Sequence, residues 1–184
     1  MVKNKPVYAF EEADSKKIIL LGGKGAGLCE MTQLKLPVPA GFTITTEVCN
    51  KYYGNDKKLP KDVMPAVMKN ITKMEKKTGK KWNSIKNPLL VSVRSGAAVS
   101  MPGMMDTILN LGLNEKTVEG FAEQTKNPRF SWDSYRRFIQ IFGKVVFGVN
   151  DEKFDHVLDV AKEKQGVTDD SKLNVESLKT IASE

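Results

Sequence analysis

Histidine is nearly missing from this 184-residue chain, and cysteine is scarce: His156 stands alone, and Cys29 and Cys49 are the only thiols. With no CxxC pair and a single imidazole, a zinc site has no ligand set to draw on. No Ser–His–Asp or Cys–His arrangement can be built on His156, whose neighbours "DEKFDHVLDVAK" read as an ordinary surface helix. Long apolar runs are also lacking, so no segment is suited to span a bilayer and no membrane partner is expected. The N-terminus "MVKNKPVYAFEEADSKK" lacks a signal-peptide pattern, and two free thiols without an export signal predict a cytoplasmic location.

Hydrophobic residues make up 40% of the chain, enough for a real core. The net charge of +7 favours anionic partners, from nucleic acid to nucleotide phosphates. Much of that charge lies in Lys57, Lys58, Lys61, Lys69, Lys73, Lys76, Lys77, Lys80 and Lys81. No aromatic residues interleave with them in the manner of a nucleic-acid surface, so they read as a solvated face and no nucleic-acid partner is expected.

The pattern predicts short strands at 6–10, 17–21 and 42–45, a helix at 26–35 with Leu28, Met31 and Leu34 on one side, and a short helix at 46–53. A helix capped by Asp62 follows, with Met64, Val67, Met68 and Ile71 as a buried stripe. "PLLVSVRS" (88–95) reads as a buried strand ending in the loop "GAAVSMPGMMD". Beyond Asn114 the strand signals stop, and helices are predicted at 114–125, 131–147 with Ser131 as its cap, 151–165 and 174–183. The texture thus predicts a mixed α/β lobe, 1–113, followed by a helical lobe, 114–184.

Within "LLGGKGAGLCEM" (20–31), Gly22, Gly23, Gly25 and Gly27 surround Lys24. Glycine lets a ligand approach the backbone, amides at a helix start attract anions, and a lysine adds a mobile charge. The run reads as a phosphate cradle, or as a tight turn with an incidental lysine. It is not a P-loop, which needs glycine at Ile18 and Ser or Thr at Gly25, nor a GxGxxG dinucleotide turn, which needs glycine at Leu28. Arg94, at the end of an apolar strand, is either a phosphate clamp or half of a structural ion pair. In "SYRRF" (134–138) both arginines project from the polar side of an amphipathic helix, towards solvent or a cleft.

Three blocks, "LLGGKGAGLCEMTQLKLPVPAGFTITTEVC", "LLVSVRSGAAVSMPGMMDTILNLGLN" and "NPRFSWDSYRRFIQIFG", closely resemble, in order, the N-terminal part of the pyruvate, phosphate dikinase family. Phosphoenolpyruvate synthases share the "GGKG"-type loop and the "VRS" strand but not "SMPGMMDTILNLGLN". The resemblance implies an α+β fold, the front part of an ATP-grasp nucleotide-binding domain, within a chain several times longer and homodimeric. It implies transfer of the β-phosphoryl of ATP to a histidine and the γ-phosphoryl to orthophosphate. Pyruvate is then phosphorylated to phosphoenolpyruvate. ATP, orthophosphate, magnesium and the remainder of the dikinase chain are the implied partners. On this resemblance Lys24 and the glycines at 22, 23, 25 and 27 contact ATP phosphates, Arg94 is an ATP-phosphate arginine, and Arg137 serves the orthophosphate site. No catalytic residue and no metal ligand is expected within these residues. His156 does not match the family's phosphocarrier, so the 184 residues alone are expected to be inactive. Ala98 stands where the family's "RSGARASMPG" has arginine. A non-catalytic nucleotide-binding paralogue and a water- or glucan-using dikinase remain as alternatives.

Overall fold

The computed structural model describes residues 4–96 and 106–184, so the loop prediction at 96–106 and Ala98 lie almost wholly outside the described residues. The chain divides into two compact units: Met1–Gly79 with Ser95–Met105, and Lys80–Arg94 with Asp106–Glu184. Both mix helix with short antiparallel sheet, in keeping with the α+β expectation at that level. No helix among the described residues is long and apolar enough to cross a membrane.

In the first unit β1 (Val7–Ala9) pairs antiparallel with β2 (Phe42–Ile44), Tyr8 facing Thr43. Val7 and Ala9 point into the core and Tyr8 is half-buried, the two-residue alternation of a strand with one covered face. Helix α1 (Ile18–Gln33) packs on β2 and on α2 (Thr46–Gly54), and α3 (Val63–Thr78) packs on β1. The core gathers Phe10, Ala13, Leu21, Ala26 and Cys29.

Residues 17–21 form no strand. Leu20 and Leu21 both donate to the Lys17 carbonyl at 3.0 Å, the bonds of a helical turn. Ile18 and Ile19 are exposed while Leu20 and Leu21 are buried, which a helix allows and a strand's strict alternation does not. Further along α1 the buried face is Leu21, Gly25, Ala26 and Cys29; Met31 and Leu34 are exposed and only Leu28 joins the core. The stripe on α3 meets its prediction fully only at Ile71. Val63, Asn70 and Ile71 are buried, whereas Met64 and Met68 lie roughly half in solvent. Asp62 precedes the helix without making a side-chain cap. Lys73 and Lys77, two of the surface lysines, bond Glu12 and Glu11 and tie α3 to the segment after β1.

In the second unit β3 (Val91–Arg94) pairs antiparallel with β4 (Thr107–Leu111), with an irregularity between Val91 and Val93. Strand β4 is absent from the predicted elements, and β3 is short and mostly exposed: Pro88 and Leu89 just before it are the buried residues. The helices are α4 (Thr117–Thr125), α5 (Pro128–Phe147), α6 (Asp151–Gln165) and α7 (Val175–Ser183), with a 3₁₀ turn at Asp170–Lys172. Leu113, Val118, Trp132, Leu173 and Leu178 form the core, joined by Tyr135 and Phe138. The expected boundary at 113/114 falls inside this unit, because Leu113 packs with Val118 and Trp132 and β4 packs on α5.

Helix α5 begins earlier than its prediction. Asn127 caps it, its side chain accepting from the Phe130 amide at 3.0 Å, and Pro128 occupies the first turn where its missing N–H costs nothing. Ser131 is therefore not the cap; it is buried, with its hydroxyl 3.0 Å from that of Thr125. Gly148 closes the helix at φ 65°.

Candidate functional site

The glycine-rich run sits inside α1. Gly22 has φ 71° and ψ 161°, which interrupts the helix there. That conformation is open essentially to glycine alone. The helix restarts at Gly23, so residues 23–25 form a first helical turn, where amides lack acceptors within the helix and the dipole is positive. Lys24 lies in that turn. It is half-buried, and its ammonium has no hydrogen bond or ion pair among the described residues.

The four glycines are not equivalent. Gly25 is buried against β2: a Cβ there would meet the Thr43 side chain at 2.8 and 2.9 Å. Its bareness lets α1 approach the sheet. Gly22 supplies the backbone break. Gly23 flanks Lys24 and is half-buried. Gly27 meets nothing within 4 Å, and neither packing nor backbone geometry demands a glycine there.

Arg94 ends β3 opposite Thr107, exposed, its side chain without a hydrogen bond or ion pair among the described residues. The structural ion pair considered for it is thus not formed within them. Arg137, on α5, is exposed and donates from Nε to Asp133 Oδ2 at 3.0 Å. Its neighbour Arg136 does not face solvent, one of the two settings expected for it. It is buried, donating to Asp133 Oδ1 from Nε at 3.0 Å and Nη2 at 2.8 Å, and to Gln140 from Nη1 at 3.2 Å. Burial pushes the Asp133 carboxyl up, but the bonds and charges of Arg136 and Arg137 prevail and hold it below the usual carboxylate range. The structure thus gathers Gly22, Gly23, Lys24, Gly25 and Gly27 on one helix of the first unit and places Arg94 and Arg137 in the second.

Asp133 and Gln140 escaped the sequence reading, as did the pairing of Arg136 with them. "DSYRR" carried the signal, since Asp at i with Arg at i+3 and i+4 puts all three groups on neighbouring helix positions. Arg129 serves the fold instead: its Nε and Nη2 donate to the carbonyls of Leu173 and Asp170 at 2.9 and 2.7 Å. His156 is exposed on α6. Cys29 is buried, which pushes its thiol pKa up, and Cys49 is exposed. No group of three or more His, Cys, Asp or Glu side chains suited to a metal ion occurs among the described residues. An open groove of about 570 Å³ lies along the starts of α1 and α2, walled by Lys16, Lys17, Ile18, Ile19, Thr46 and Asn50; Lys24 is not part of its wall.

Residues 18–58 and 53–162 match the family model described as "Pyruvate phosphate dikinase, AMP/ATP-binding domain". Among similar proteins, the pyruvate, phosphate dikinase of Entamoeba histolytica is 55% identical over 176 residues, 96% of this chain and 20% of its own. That of Clostridium symbiosum is 52% identical over 178 residues, 97% of this chain and 20% of its own. That of Giardia intestinalis is 51% identical over 162 residues, 88% of this chain and 18% of its own. The chain therefore spans about one fifth of the length of the relatives it matches.

Proposed function

Because the chain belongs to the pyruvate phosphate dikinase AMP/ATP-binding domain family, we propose that it supplies phosphate-binding groups to the ATP site of a pyruvate, phosphate dikinase. The observation that carries this reading is Lys24: a half-buried cation, unpaired among the described residues, in the first turn of a helix that a glycine break has restarted. An unpaired cation set beside helix-start amides is suited to a polyphosphate. Arg94 is the second clamp on the ATP phosphates, and Arg137 receives the orthophosphate. The domain is the front part of an ATP-grasp fold, its α/β part bearing the glycine run, in a cytoplasmic, homodimeric parent enzyme.

The parent converts ATP, phosphate and pyruvate to AMP, diphosphate and phosphoenolpyruvate through a phosphohistidine. Phosphoryl transfer of this kind depends on positioning and on positive groups around the moving charge, and Lys24, Arg94 and Arg137 have that character. Magnesium, when bound, would supply further positive charge to the phosphates during transfer. The described residues gather no carboxylate set that fits it, so no residue of this chain is assigned to the metal. The sole histidine, His156, is exposed on α6 among charged neighbours and is not the phosphocarrier. This chain by itself therefore does not complete the cycle.

Calorimetric titration of ATP into the 184-residue chain and its Lys24→Ala variant tests the reading. Weakening of at least about tenfold is expected, the loss of roughly one charge-assisted contact. Equal affinity of the two proteins would reject it, and phosphoenolpyruvate-dependent ATP formation by the chain alone would reject the claim of incompleteness.

A further inference from the structure

We infer that Asp133 is a positioning residue: its carboxylate, locked by buried Arg136, holds Arg137 by Nε so that the Nη end of the guanidinium is presented to an oxyanion. The inference rests on the reading of Arg137 as an orthophosphate contact and adds to it the residues that aim the side chain.

The division of labour within the cluster is asymmetric. The Arg136 and Asp133 side chains are 7% and 16% exposed, whereas that of Arg137 is 60% exposed. Arg136 spends three of its donors, two on Asp133 Oδ1 and one on Gln140. A buried guanidinium satisfied in this way has little freedom, and it fixes the rotamer of the carboxylate it grips. The other oxygen, Oδ2, is left for Arg137, which donates to it from Nε only. Arg137 keeps four N–H donors on its two Nη nitrogens, none with a partner among the described residues. That end of the fork matches two oxygens of a tetrahedral oxyanion.

Charge balance points the same way. Two guanidinium groups share one carboxylate, so the cluster keeps one net positive charge, and that charge sits on the exposed member. A carboxylate meant only to neutralise Arg136 would not need its second oxygen turned to Arg137. A long side chain already anchored at Nε also loses less freedom when an anion arrives.

The inference makes a prediction whose sign separates it from simple electrostatics. Asp133→Asn removes a negative charge beside Arg137. If charge alone mattered, inorganic phosphate would bind more tightly. If Asp133 positions Arg137, phosphate binds more weakly, by about fivefold or more, and Asp133→Glu restores most of the loss. The measurement is titration of the 184-residue chain with inorganic phosphate, followed through the arginine side-chain N–H resonances. Equal or tighter phosphate binding by Asp133→Asn overturns the inference. When this occurs while Arg137→Gln abolishes the response, the reading of Arg137 survives and the tether alone is wrong. If Arg137→Gln leaves the phosphate response unchanged, or the wild-type chain gives none, both fall together.

A readout without substitution guards against an unfolded variant. In the wild-type chain the Arg137 Nε–H should stay protected from solvent exchange through phosphate saturation, while its Nη resonances shift. Loss of that protection on binding overturns the tether.

Discussion

The two compact units hold their candidate cations in opposite ways. In the first, Lys24 stands alone in a helical turn made by a glycine break, and α1 packs through small residues, with Gly25 against Thr43 and Ala26 and Cys29 in the core. In the second, Arg137 is tethered through Asp133 to a buried arginine on a long aromatic helix, where Trp132, Tyr135, Phe138 and Phe142 follow one another at ring separations of 5.5–6.4 Å. A lysine is a compact point charge and needs only a place. An arginine is a directional fork and needs aiming. The backbone does the work in the first unit, and side-chain networks do it in the second.

Substitutions that act on one style of packing and not the other sharpen this contrast. The largest effect is expected at Gly120 of α4, where a Cβ would lie 1.4 Å from the Ile85 carbonyl oxygen. The obstacle is backbone, so Gly120→Ala should destabilise the second unit by about 4 kcal/mol or more, read as a fall in the denaturant midpoint. Leu178, fully buried in the same core, comes next: Leu178→Ala should cost about 2–5 kcal/mol. Gly25→Ala should cost the first unit about 1–3 kcal/mol, because the Thr43 side chain it meets can shift. Should Gly120→Ala prove milder than Gly25→Ala, the close-packing contrast would be broken.

The pH dependence is smaller and belongs to the second unit. Asp133 is held below the usual carboxylate range, so its contribution to stability is complete above the ordinary Asp pKa of about 3.9 and is lost as the pH falls through the depressed value. Acid titration of wild type against Asp133→Asn should show the two stabilities converging at low pH and parting as it rises. A constant gap would contradict the tether's ionic character. The smallest effect is expected at Gly27→Ala, where open space and an ordinary helical backbone predict a gain of about 0.5–1 kcal/mol.

The second unit was the more legible in sequence. Its helices carry a 3.6-residue apolar rhythm and visible stops, with Gly148 and Gly166 closing α5 and α6 and Asn174 capping α7. The first unit hid its geometry in short or small residues. "KIILL" is too short for periodicity to separate strand from helix, and the α1 face of glycine, alanine and cysteine gives no strong apolar signal. On α3 the methionines suggested a stripe that runs instead through Val63, Asn70 and Ile71, of which the pattern predicts Ile71 alone. At the candidate site, Lys24 and Arg94 could be picked out because a cation among glycines or at an element end is conspicuous, whereas Arg137, in mid-helix beside Arg136, stood out only through the family resemblance. The Asp133 tether required seeing that two adjacent arginines divide one carboxylate between a buried and an exposed role.

The claim beneath the account is the proposal that Lys24 and Arg94 each contact the phosphates of ATP. ATP affinity of Lys24→Ala and of Arg94→Ala, with AMP as the control ligand, tests it most directly. The account predicts that each change weakens ATP binding by about tenfold or more and that AMP is far less affected. Unchanged ATP affinity, or losses as large for AMP as for ATP, would contradict it.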